Sequence, residues 1–328
     1  MQSLPSPRSL RELYPLPAGA AKAVDAARST VASILAGRDD RLLAIVGPCS
    51  VHDEQEALEY ASFLKEQADL HAGSLFVAIR LYVEKSRTGD GWKGMARDPS
   101  MDGVSGTAEG IAAARRLIVR VAATGLPVAV ELASPFLWPY WIDAVSWASV
   151  GARGVESQAL REAAQALPCP CGFKNGRDGS LENALTAARV SSMPGRVILP
   201  DEDGRAQELH AKGNPRAHII LRGTDRGPNW RRAPYLAGLM RGRGLDPSII
   251  VDASHGNSGK DPRRQAAVAL GALALRKRCP AIRGIMIESY MKDGSQPFNP
   301  GAKPLPGLSL TDPCMGMEAT ARLLDRLH

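Results

Sequence analysis

Short apolar runs that end in charged or metal-binding residues constrain the fold of this chain more than any other feature. The chain has nine short apolar runs, eight of which end in this way, and the first, 42–46, leads into Gly47-Pro48-Cys49. A run that is apolar at every position is typical of a strand buried on both faces. Seven later runs lead into Arg80, Glu131, Arg153, Lys174, Arg222, His255 and Glu288. Reactive side chains directly after buried parallel strands are typical of the active-site end of an α/β barrel.

The spacing of the runs predicts the fold class α/β, specifically a (β/α)8 TIM barrel. A chain of 328 residues is long enough for one barrel of about 250 residues with extensions. The expected strands are 42–48, 75–83, 127–132, 148–153, 170–175, 216–222, 248–254 and 283–289, with helical stretches between most of them. The ninth run, 196–200, ends in no functional group and precedes a polar stretch. It predicts a β-hairpin inserted before the sixth barrel strand.

The N-terminal segment predicts an extension outside the barrel. Residues 1–18 are rich in proline and indicate an extended arm, and 19–36 read as a helix with Gly37 as its C-cap. Further helices are expected at 54–70 and 107–124, with a long polar loop at 84–106. We therefore divide the chain into an N-terminal arm and helix, 1–40, and a catalytic barrel, 41–328.

Composition narrows the class of partner. The net charge is +7, but the basic residues are not concentrated in one tract, so we expect no nucleic-acid partner and attribute part of the excess to anionic small substrates. No apolar run approaches the roughly 20 residues that span a bilayer, so no membrane association is expected. Five scattered cysteines and an N-terminus without signal-peptide features favour a reduced, cytoplasmic protein. We expect a homodimer or homotetramer.

Four residues of metal-ligand type follow predicted strands or lie in late loops: Cys49, His255, Glu288 and Asp312. One sulfur, one nitrogen and two oxygen ligands suit Mn²⁺, Fe²⁺, Co²⁺ or Zn²⁺ better than Mg²⁺ or Ca²⁺. Each residue also has a structural interpretation. Cys49 could be a small buried hydrophobe, His255 a hydrogen-bonded loop histidine, and Asp312 an N-cap before Pro313.

A second set consists of cations placed beside the same strand ends. Arg80, Lys85, Arg87 and Thr88 lie within nine residues of one another, and Arg153, Lys174 and Arg222 each have a glycine nearby. Arginine binds carboxylate and phosphate in a bidentate manner, and glycine lets a ligand approach the backbone. The alternatives are salt bridges with surface acids and, for Lys174, a Schiff-base lysine.

Taken together, these motifs resemble the type I 3-deoxy-D-arabino-heptulosonate 7-phosphate (DAHP) synthase family over about residues 10–327. The resemblance rests on Gly47-Pro48-Cys49-Ser50-Val51-His52-Asp53 and Glu84-Lys85-Ser86-Arg87-Thr88 with Gly91-Trp92-Lys93-Gly94. It continues in order through 151–158, 172–176, 218–223, 252–260 and 311–312. The family is a metal-dependent (β/α)8 barrel that opens the shikimate pathway of aromatic amino acid biosynthesis.

The resemblance implies roles for both sets of residues. The metal ligands would be Cys49, His255, Glu288 and Asp312. Phosphoenolpyruvate would bind to Arg80, Lys85, Arg153, Lys174 and Arg222, and the phosphate of erythrose 4-phosphate to Arg87 and Thr88. Lys85 would protonate the developing alkoxide, so the implied catalytic residues are Lys85, Cys49 and His255. The implied enzyme is a transferase that releases phosphate.

Three segments depart from the family pattern. Ser86 stands where the family usually has proline, and 133–138 and 197–209 differ from feedback-regulated members, so we expect weak or absent inhibition by Phe, Tyr or Trp. Two alternatives stay open at this point. One is a paralogue of secondary metabolism that uses another aldose phosphate, and the other is a non-catalytic barrel with a regulatory role.

Overall fold

The computed structural model describes residues 3–87, 91–103 and 106–328, and its centre is a closed barrel of eight parallel strands. Around the barrel each strand pairs with its neighbours in the order β1, β2, β3, β4, β5, β8, β9, β10, and β10 closes onto β1. These strands are β1 Leu42–Gly47, β2 Leu75–Arg80, β3 Val128–Glu131, β4 Trp147–Val150, β5 Cys171–Lys174, β8 His218–Leu221, β9 Ile249–Asp252 and β10 Ile282–Glu288. The predicted (β/α)8 class is confirmed.

Helices lie between most strands and cover the outside of the barrel. They are α1 Pro7–Leu13, α2 Ala18–Leu35, α3 Glu54–Leu70, α4 Thr107–Ala123, α5 Gln158–Ala166, α6 Glu182–Ser192, α7 Ala233–Gly242, α8 His255–Ser258, α9 Pro262–Arg276 and α10 Met317–Leu327. Short 3-10 turns occur at Trp138–Tyr140, Ile142–Ala144 and Trp230–Arg232. Among the described residues, no helix is both long and apolar enough to cross a membrane.

The predicted hairpin lies outside the barrel between β5 and β8. Its strands, β6 Gly195–Pro200 and β7 Ala206–Ala211, pair in antiparallel register. Val197 and Leu199 are buried whereas Ile198 is exposed, as the two-residue period of a strand requires. The hairpin therefore has one face on the protein and one in solvent.

The barrel encloses its own core, which the second helix closes at the N-terminal end. Side chains that point inward form one buried cluster: Leu43, Ile45, Ala78, Ala129, Trp147, Ile220, Ile250 and Met286. Val31, Ile34 and Leu35 of α2 pack against this cluster. Because the residues at alternate positions, such as Leu42 and Ala44, face the outer helices, every position of β1 is buried.

The expectation of an extended arm at 1–18 is wrong for part of that segment. Residues Pro7–Leu13 form α1, and Ser6 is its N-cap. The Oγ atom of Ser6 accepts a hydrogen bond from the backbone N–H of Ser9. Proline at the first helical position is compatible with a helix because its missing N–H would have no partner there. The helix lies against the hairpin, where the backbone N–H of Arg8 donates to the carbonyl of Glu202 at 2.8 Å.

Other boundaries also differ from the sequence prediction, and the region after β2 differs most. The strand expected at 75–83 ends at Arg80, and the loop expected to be polar buries Trp92, Met95 and Ala96. Its chain folds back on itself, since the N–H of Ala96 donates to the carbonyl of Val83. The division into 1–40 and 41–328 stays a prediction.

Candidate active site

The charged residues singled out in the sequence gather at the C-terminal end of the barrel. One pocket there is lined by Cys49, Lys85, Ser86, Arg87, Glu131, Gly151, Ala152, Arg153, Lys174, Arg177, Arg222, Asp225, His255, Lys260, Thr311 and Asp312. Arg80 and Glu288 lie directly beneath it and are almost completely buried. The opposite end of the barrel is closed by α2, so the chemistry is confined to one end.

Three of the four expected metal ligands lie together. Ligand atoms of Cys49, Glu288 and Asp312 are all within 4.8 Å of one another. His255 lies at the edge of this group, with Nε2 3.6 Å from Glu288 Oε1 and 4.0 Å from Asp312 Oδ2. The set contains one thiol, one imidazole and two carboxylates, which is a donor set for a borderline divalent ion.

Local backbone geometry explains how each ligand reaches this place. Gly47 is required before Cys49 because a Cβ there would lie 2.6 Å from the carbonyl oxygen of Arg80. Glu288 is the last residue of β10. Asp312 lies in an irregular segment, and α10 begins only at Met317, so the N-cap interpretation of Asp312 is wrong.

Neighbouring cations favour the ionised form of both carboxyls in this group, whereas burial disfavours that of the thiol. Burial opposes ionisation of Glu288, but the charges of His255 and Arg80 outweigh it and lower the pKa of the carboxyl. Burial and the neighbouring Glu288 raise the pKa of the Cys49 thiol. Burial likewise opposes ionisation of Asp312, yet His255 and Lys260 lower its pKa to about 2.

One buried oxygen of Glu288 accepts no hydrogen bond from the described residues and could therefore bind a metal ion. Arg80 Nη2 lies 3.0 Å from Glu288 Oε1, but without hydrogen-bond geometry, and no described residue donates a hydrogen bond to this buried oxygen. A buried acceptor without a donor is costly unless another ligand satisfies it. The residues present therefore fit a divalent ion bound by sulfur, oxygen and nitrogen atoms.

Lys85 lies between the metal-ligand group and the open part of the pocket. Its Nζ donates to the carbonyl of Cys49 at 2.9 Å and lies 3.3 Å from Cys49 Sγ. Burial would lower its pKa, but the charges of Cys49 and Glu131 outweigh that effect and raise it to about 12. Lys85 is therefore an ammonium ion near neutral pH, with protons available to a neighbouring oxygen.

Three of the residues predicted to bind anions lie near one aromatic ring. The guanidinium of Arg80 lies 3.9 Å from the ring centre of Tyr82, and the ammonium groups of Lys85 and Lys174 each lie 5.8 Å from it. Arg80 also donates to the carbonyls of Pro48 and Cys49. The electron-rich face of the tyrosine thus helps to hold three cations close together.

Two buried arginines at this end of the barrel have donors without a partner in the described part of the chain. Arg80 is 0% exposed and Arg222 is 7% exposed, and the Nη1 atom of each has no hydrogen-bond partner among the described residues. Unpaired buried donors on two guanidinium groups suit an anionic ligand with several oxygen atoms. Arg153, in a turn after β4, lines the same pocket and is exposed.

Lys174 has a carboxylate partner that the sequence prediction did not name. Its Nζ lies 3.4 Å from Oδ2 of Asp252, the last residue of β9. A Schiff-base lysine must be neutral to attack a carbonyl, whereas an ion pair with a buried carboxylate stabilises the ammonium form. The contact favours the electrostatic role of Lys174.

The expected aldose-phosphate residues lie on the outer side of the pocket. Arg87 is exposed, and its Nε donates to the carbonyl of Trp92 at 2.8 Å. Ser86 Oγ lies 3.4 Å from Glu131 Oε1. Thr88 lies outside the described residues. This part of the site belongs to a loop rather than to a strand end.

The glycines next to the cations are required by packing. A Cβ on Gly172 would lie 2.7 Å from the side chain of Ile220, and one on Gly223 would lie 2.2 Å from the backbone of Gly256. A Cβ on Gly151 would lie 2.7 Å from Glu131 Oε1. These positions let neighbouring strand ends come close enough to form one site.

The sequence prediction missed several residues of the pocket. Arg177 pairs with Asp225 at 3.0 Å, and Lys260 pairs with Asp312 at 2.9 Å. Tyr82 and Asp252 lie beneath them. Their positions two to five residues from predicted site residues were the available signal, but the sequence does not tell which neighbours face inward.

Known proteins resemble this chain along its whole length. The sequence model of the DAHP synthetase I family matches residues 20–325. The chain is 42% identical over 331 residues to Phospho-2-dehydro-3-deoxyheptonate aldolase, Tyr-sensitive, of Salmonella typhimurium, and the alignment covers 100% of this chain and 93% of the relative. It is 39% identical over 331 residues to Phospho-2-dehydro-3-deoxyheptonate aldolase, Trp-sensitive, of Escherichia coli, covering 100% and 94%.

A solved structure shares the fold. The structure of Phospho-2-dehydro-3-deoxyheptonate aldolase from Francisella tularensis matches with a TM-score of 0.96 at 34% sequence identity. The match covers 100% of this chain and 96% of that chain. The similarity thus includes the N-terminal extension and the hairpin as well as the barrel.

Proposed function

Because the chain belongs to the DAHP synthetase I family, it condenses phosphoenolpyruvate with D-erythrose 4-phosphate, and we propose which residues carry out the reaction. The products are 3-deoxy-D-arabino-heptulosonate 7-phosphate and inorganic phosphate, and the reaction belongs to aromatic amino acid biosynthesis. A new carbon–carbon bond forms, water is consumed and a carbon–oxygen bond to phosphate breaks. The site must therefore hold two anionic substrates together and supply a proton to one oxygen.

Cys49, Glu288 and Asp312 would hold a divalent metal ion, with His255 as the fourth ligand. The proposal is supported by the 4.8 Å grouping of the first three and by the unpartnered Glu288 Oε1. Mn²⁺, Fe²⁺, Co²⁺ and Zn²⁺ all accept this donor set. When bound, such an ion supplies a Lewis acid for the aldehyde oxygen.

Phosphoenolpyruvate would bind to Arg80, Lys85, Arg153, Lys174 and Arg222. Arg153 and Arg222 would hold its phosphate, and Arg80 and Lys174 would face its carboxylate. The unpartnered Nη1 atoms of Arg80 and Arg222 support this assignment, since each can donate to an anionic oxygen. Clustered cations offset the repulsion between two anionic substrates and orient them for reaction.

Lys85 would donate the proton that the reaction requires. As C3 of phosphoenolpyruvate attacks the aldehyde carbon, the carbonyl oxygen gains negative charge, and the Lys85 ammonium protonates it. Water then adds at C2, and the resulting hemiketal expels phosphate by cleavage of its carbon–oxygen bond. Arg153 and Arg222 would stabilise the charge on the leaving phosphate.

Arg87 and Thr88 would bind the phosphate of the aldose. Arg87 supports this role because it lines the pocket from a loop, at the side away from β8 and β9. The acceptor phosphate and the phosphoenolpyruvate phosphate would then lie on different sides of the metal-ligand group. Such a separation allows the aldehyde to reach the enol between them.

The observation that carries these assignments is the placement of three metal-ligand residues next to two buried arginines with unpaired donors. The test is phosphate release from phosphoenolpyruvate with erythrose 4-phosphate, compared with a panel of other aldose phosphates, before and after chelation. We expect erythrose 4-phosphate to be the best acceptor, chelation to abolish turnover, and Mn²⁺ or Co²⁺ to restore it. Full turnover by protein shown to be free of metal would contradict the metal assignment.

Three properties of the protein in its cell remain part of the proposal. A homodimer or homotetramer is expected. Cytoplasmic location is supported by the five cysteines, all buried and none in a disulfide. Weak or absent inhibition by single aromatic amino acids follows from the altered residues at 133–138 and 197–209. Inhibition by Phe, Tyr or Trp at sub-millimolar concentration would contradict the last point.

A further inference from the structure

Asp252 is a fully buried carboxylate whose two oxygens face different groups. Oδ1 accepts hydrogen bonds from the backbone N–H of Ser254 at 3.0 Å and from Ser254 Oγ at 2.7 Å. Oδ2 lies 2.9 Å from His255 Nδ1 and 3.4 Å from Lys174 Nζ, but without hydrogen-bond geometry. The hydrogen-bond partner of His255 Nδ1 is Ser254 Oγ, at 2.7 Å. One side chain at the end of β9 thus contacts both the imidazole and a substrate-binding cation.

Asp252 and Ser254 together determine which nitrogen of the neutral His255 carries the proton. Ser254 Oγ donates its one proton to Asp252 Oδ1, so it can only accept from His255 Nδ1. The nearby carboxylate oxygen Oδ2 favours the same N–H. Nε2 then keeps its lone pair, and it is the atom that lies near Glu288 and Asp312. Only this tautomer leaves a lone pair on Nε2 that could bind a metal ion together with those two carboxylates.

The backbone at His255 also needs support. Its φ is +51°, in the left-handed region that non-glycine residues seldom adopt. Contacts that hold this conformation are the Asp252 carboxylate and a hydrogen bond from the backbone N–H of Lys260 to the His255 carbonyl at 2.7 Å. Strained conformations persist where the surroundings determine them.

Lys174 explains why a charged carboxylate is tolerated at this depth. Asp252 is 0% exposed, and an isolated buried charge would be very costly. The ammonium of Lys174 compensates that charge from the side opposite Ser254. The arrangement therefore keeps Asp252 anionic, as its contact with His255 requires.

We propose that Asp252 is a positioning residue that fixes the tautomer and orientation of His255 for metal binding. This inference rests on the proposed role of His255 as a metal ligand. Asp252 itself touches neither substrate nor the reacting atoms, so its contribution is to metal affinity through His255.

The test uses Co²⁺ as the probe. The dissociation constant is measured by competition with a chelator, and binding is followed through the visible spectrum of the Co²⁺ protein. In Asp252→Asn, the donors of Ser254 require the amide oxygen at the place of Oδ1, so the amide nitrogen faces His255 Nδ1. That nitrogen favours the other tautomer, with the proton on Nε2. We expect Co²⁺ affinity to fall roughly 10- to 100-fold, as for other residues that orient a metal-binding histidine.

A double-mutant cycle separates positioning from simple charge attraction. If Asp252 acts through His255, then Asp252→Asn made in a His255→Ala background should change the Co²⁺ affinity by no more than about twofold. An equal loss in both backgrounds would mean that the negative charge alone attracts the cation, and this would overturn the proposal. Asp261→Asn is the matched control, because it removes one carboxylate charge that pairs with Arg263 and leaves the contacts among Asp252, Ser254 and His255 unchanged.

A second measurement needs no Asp252 variant. In metal-free wild-type protein labelled with ¹⁵N-histidine, the signals of His255, assigned with His255→Ala, should show that its neutral form carries the proton on Nδ1 and not on Nε2. The opposite tautomer would overturn the proposal even if Asp252→Asn fails to fold. Failure of the wild type to bind Co²⁺ would instead contradict the proposed metal site, while the tautomer measurement would still decide the role of Asp252.

Discussion

The metal-ligand side and the aldose side of the pocket are built differently. On one side Cys49 and Glu288 lie at the ends of barrel strands and are almost completely buried. On the other side Ser86 and Arg87 belong to a loop, and Arg87 is exposed. Side chains at strand ends are held by the closed sheet, whereas a loop residue must be ordered when its ligand binds. The comparison teaches that substitutions on the metal-ligand side should abolish most activity, whereas substitutions on the aldose side should change the KM for the aldose.

Cys49→Ala should have the largest effect, because it removes the one sulfur ligand of the proposed metal site. We expect loss of most bound Co²⁺ and a fall in kcat/KM of at least about 1,000-fold, since catalysis by a bound ion is worth several kcal/mol. Metal content is measured by elemental analysis and turnover by phosphate release. Cys279→Ala is the control, since Cys279 is buried near the C-terminal end of α9, away from the pocket, and should leave both unchanged.

Arg222→Ala should have the next largest effect and should act on phosphoenolpyruvate. Truncating a buried charged partner costs about 2–5 kcal/mol, which corresponds to roughly 30- to 5,000-fold in Kd. Calorimetric titration with phosphoenolpyruvate measures the change. Arg226→Ala, an exposed arginine four residues later, should bind as the wild type does. Equal affinity in both variants would remove Arg222 from the proposed site.

Arg87→Ala should raise the KM for erythrose 4-phosphate by a smaller factor. The side chain is exposed, so water competes for the phosphate, and we expect about 1–3 kcal/mol, or roughly 5- to 150-fold. Arg87→Lys should recover part of the loss, because it keeps the charge without the planar fork. Steady-state kinetics should show the KM for phosphoenolpyruvate nearly constant. An equal rise in both KM values would mean that the loop serves both substrates.

Glu84, which precedes the aldose loop, should make stability depend on pH. Burial raises the pKa of this carboxyl to about 7, although Arg97 at 3.3 Å opposes the shift. Because the folded pKa is above the unfolded value, the folded state binds the proton more tightly. The resulting stability is present below about pH 4.5 and is lost as the pH rises through 7.

Glu84→Gln should remove that dependence. Relative to the variant, the wild type should lose roughly 1–3 kcal/mol in free energy of unfolding between pH 4.5 and pH 8. Urea denaturation at the two pH values measures this difference. Glu66→Gln, at an exposed position of α3, is the control. A wild type that gains stability relative to Glu84→Gln as the pH rises would contradict the assigned shift.

Ser86→Pro should have the smallest effect and should sharpen the contrast between the two sides. Proline fixes its own φ and restricts Lys85, which reduces the cost of ordering the loop by about 1 kcal/mol. We expect a several-fold lower KM for erythrose 4-phosphate and nearly unchanged binding of phosphoenolpyruvate. Ser86→Ala, which leaves the backbone unrestricted, should change little. Loss of all activity in Ser86→Pro would mean that the loop adopts another conformation and favours another acceptor.

Much of the architecture could be predicted from local pattern. Apolar runs identified the eight barrel strands, and the run without a functional residue at its end identified the hairpin. Ser6 and Pro7 carried a helix-start signal for α1, but the many prolines around it favoured an arm. The end of β2 was predicted less accurately than the strand itself, because the chain after Arg80 stays buried although it has left the sheet.

The site was predictable only in its chemical types. Charge at a strand end is a local signal, and it named Cys49, His255 and Glu288 directly from the sequence. The roles of Tyr82 and Asp252 were not visible, because each lies among other residues of similar type and its contacts come from distant strands. Asp252 meets Lys174 only because β5, β8 and β9 are neighbours in the closed barrel.

The sequence by itself determined that this chain folds as a barrel with cations and metal-ligand residues at one end. Those features depend on how strand and helix patterns alternate along the chain and on which residues follow each strand, and both can be predicted from local sequence. Tertiary structure alone decided which of those residues touch, which nitrogen of His255 faces Glu288, and which glycines are needed for strands to meet. Such contacts join residues far apart in sequence, and barrel closure fixes their distances to within a few tenths of an ångström only after all eight strands have paired.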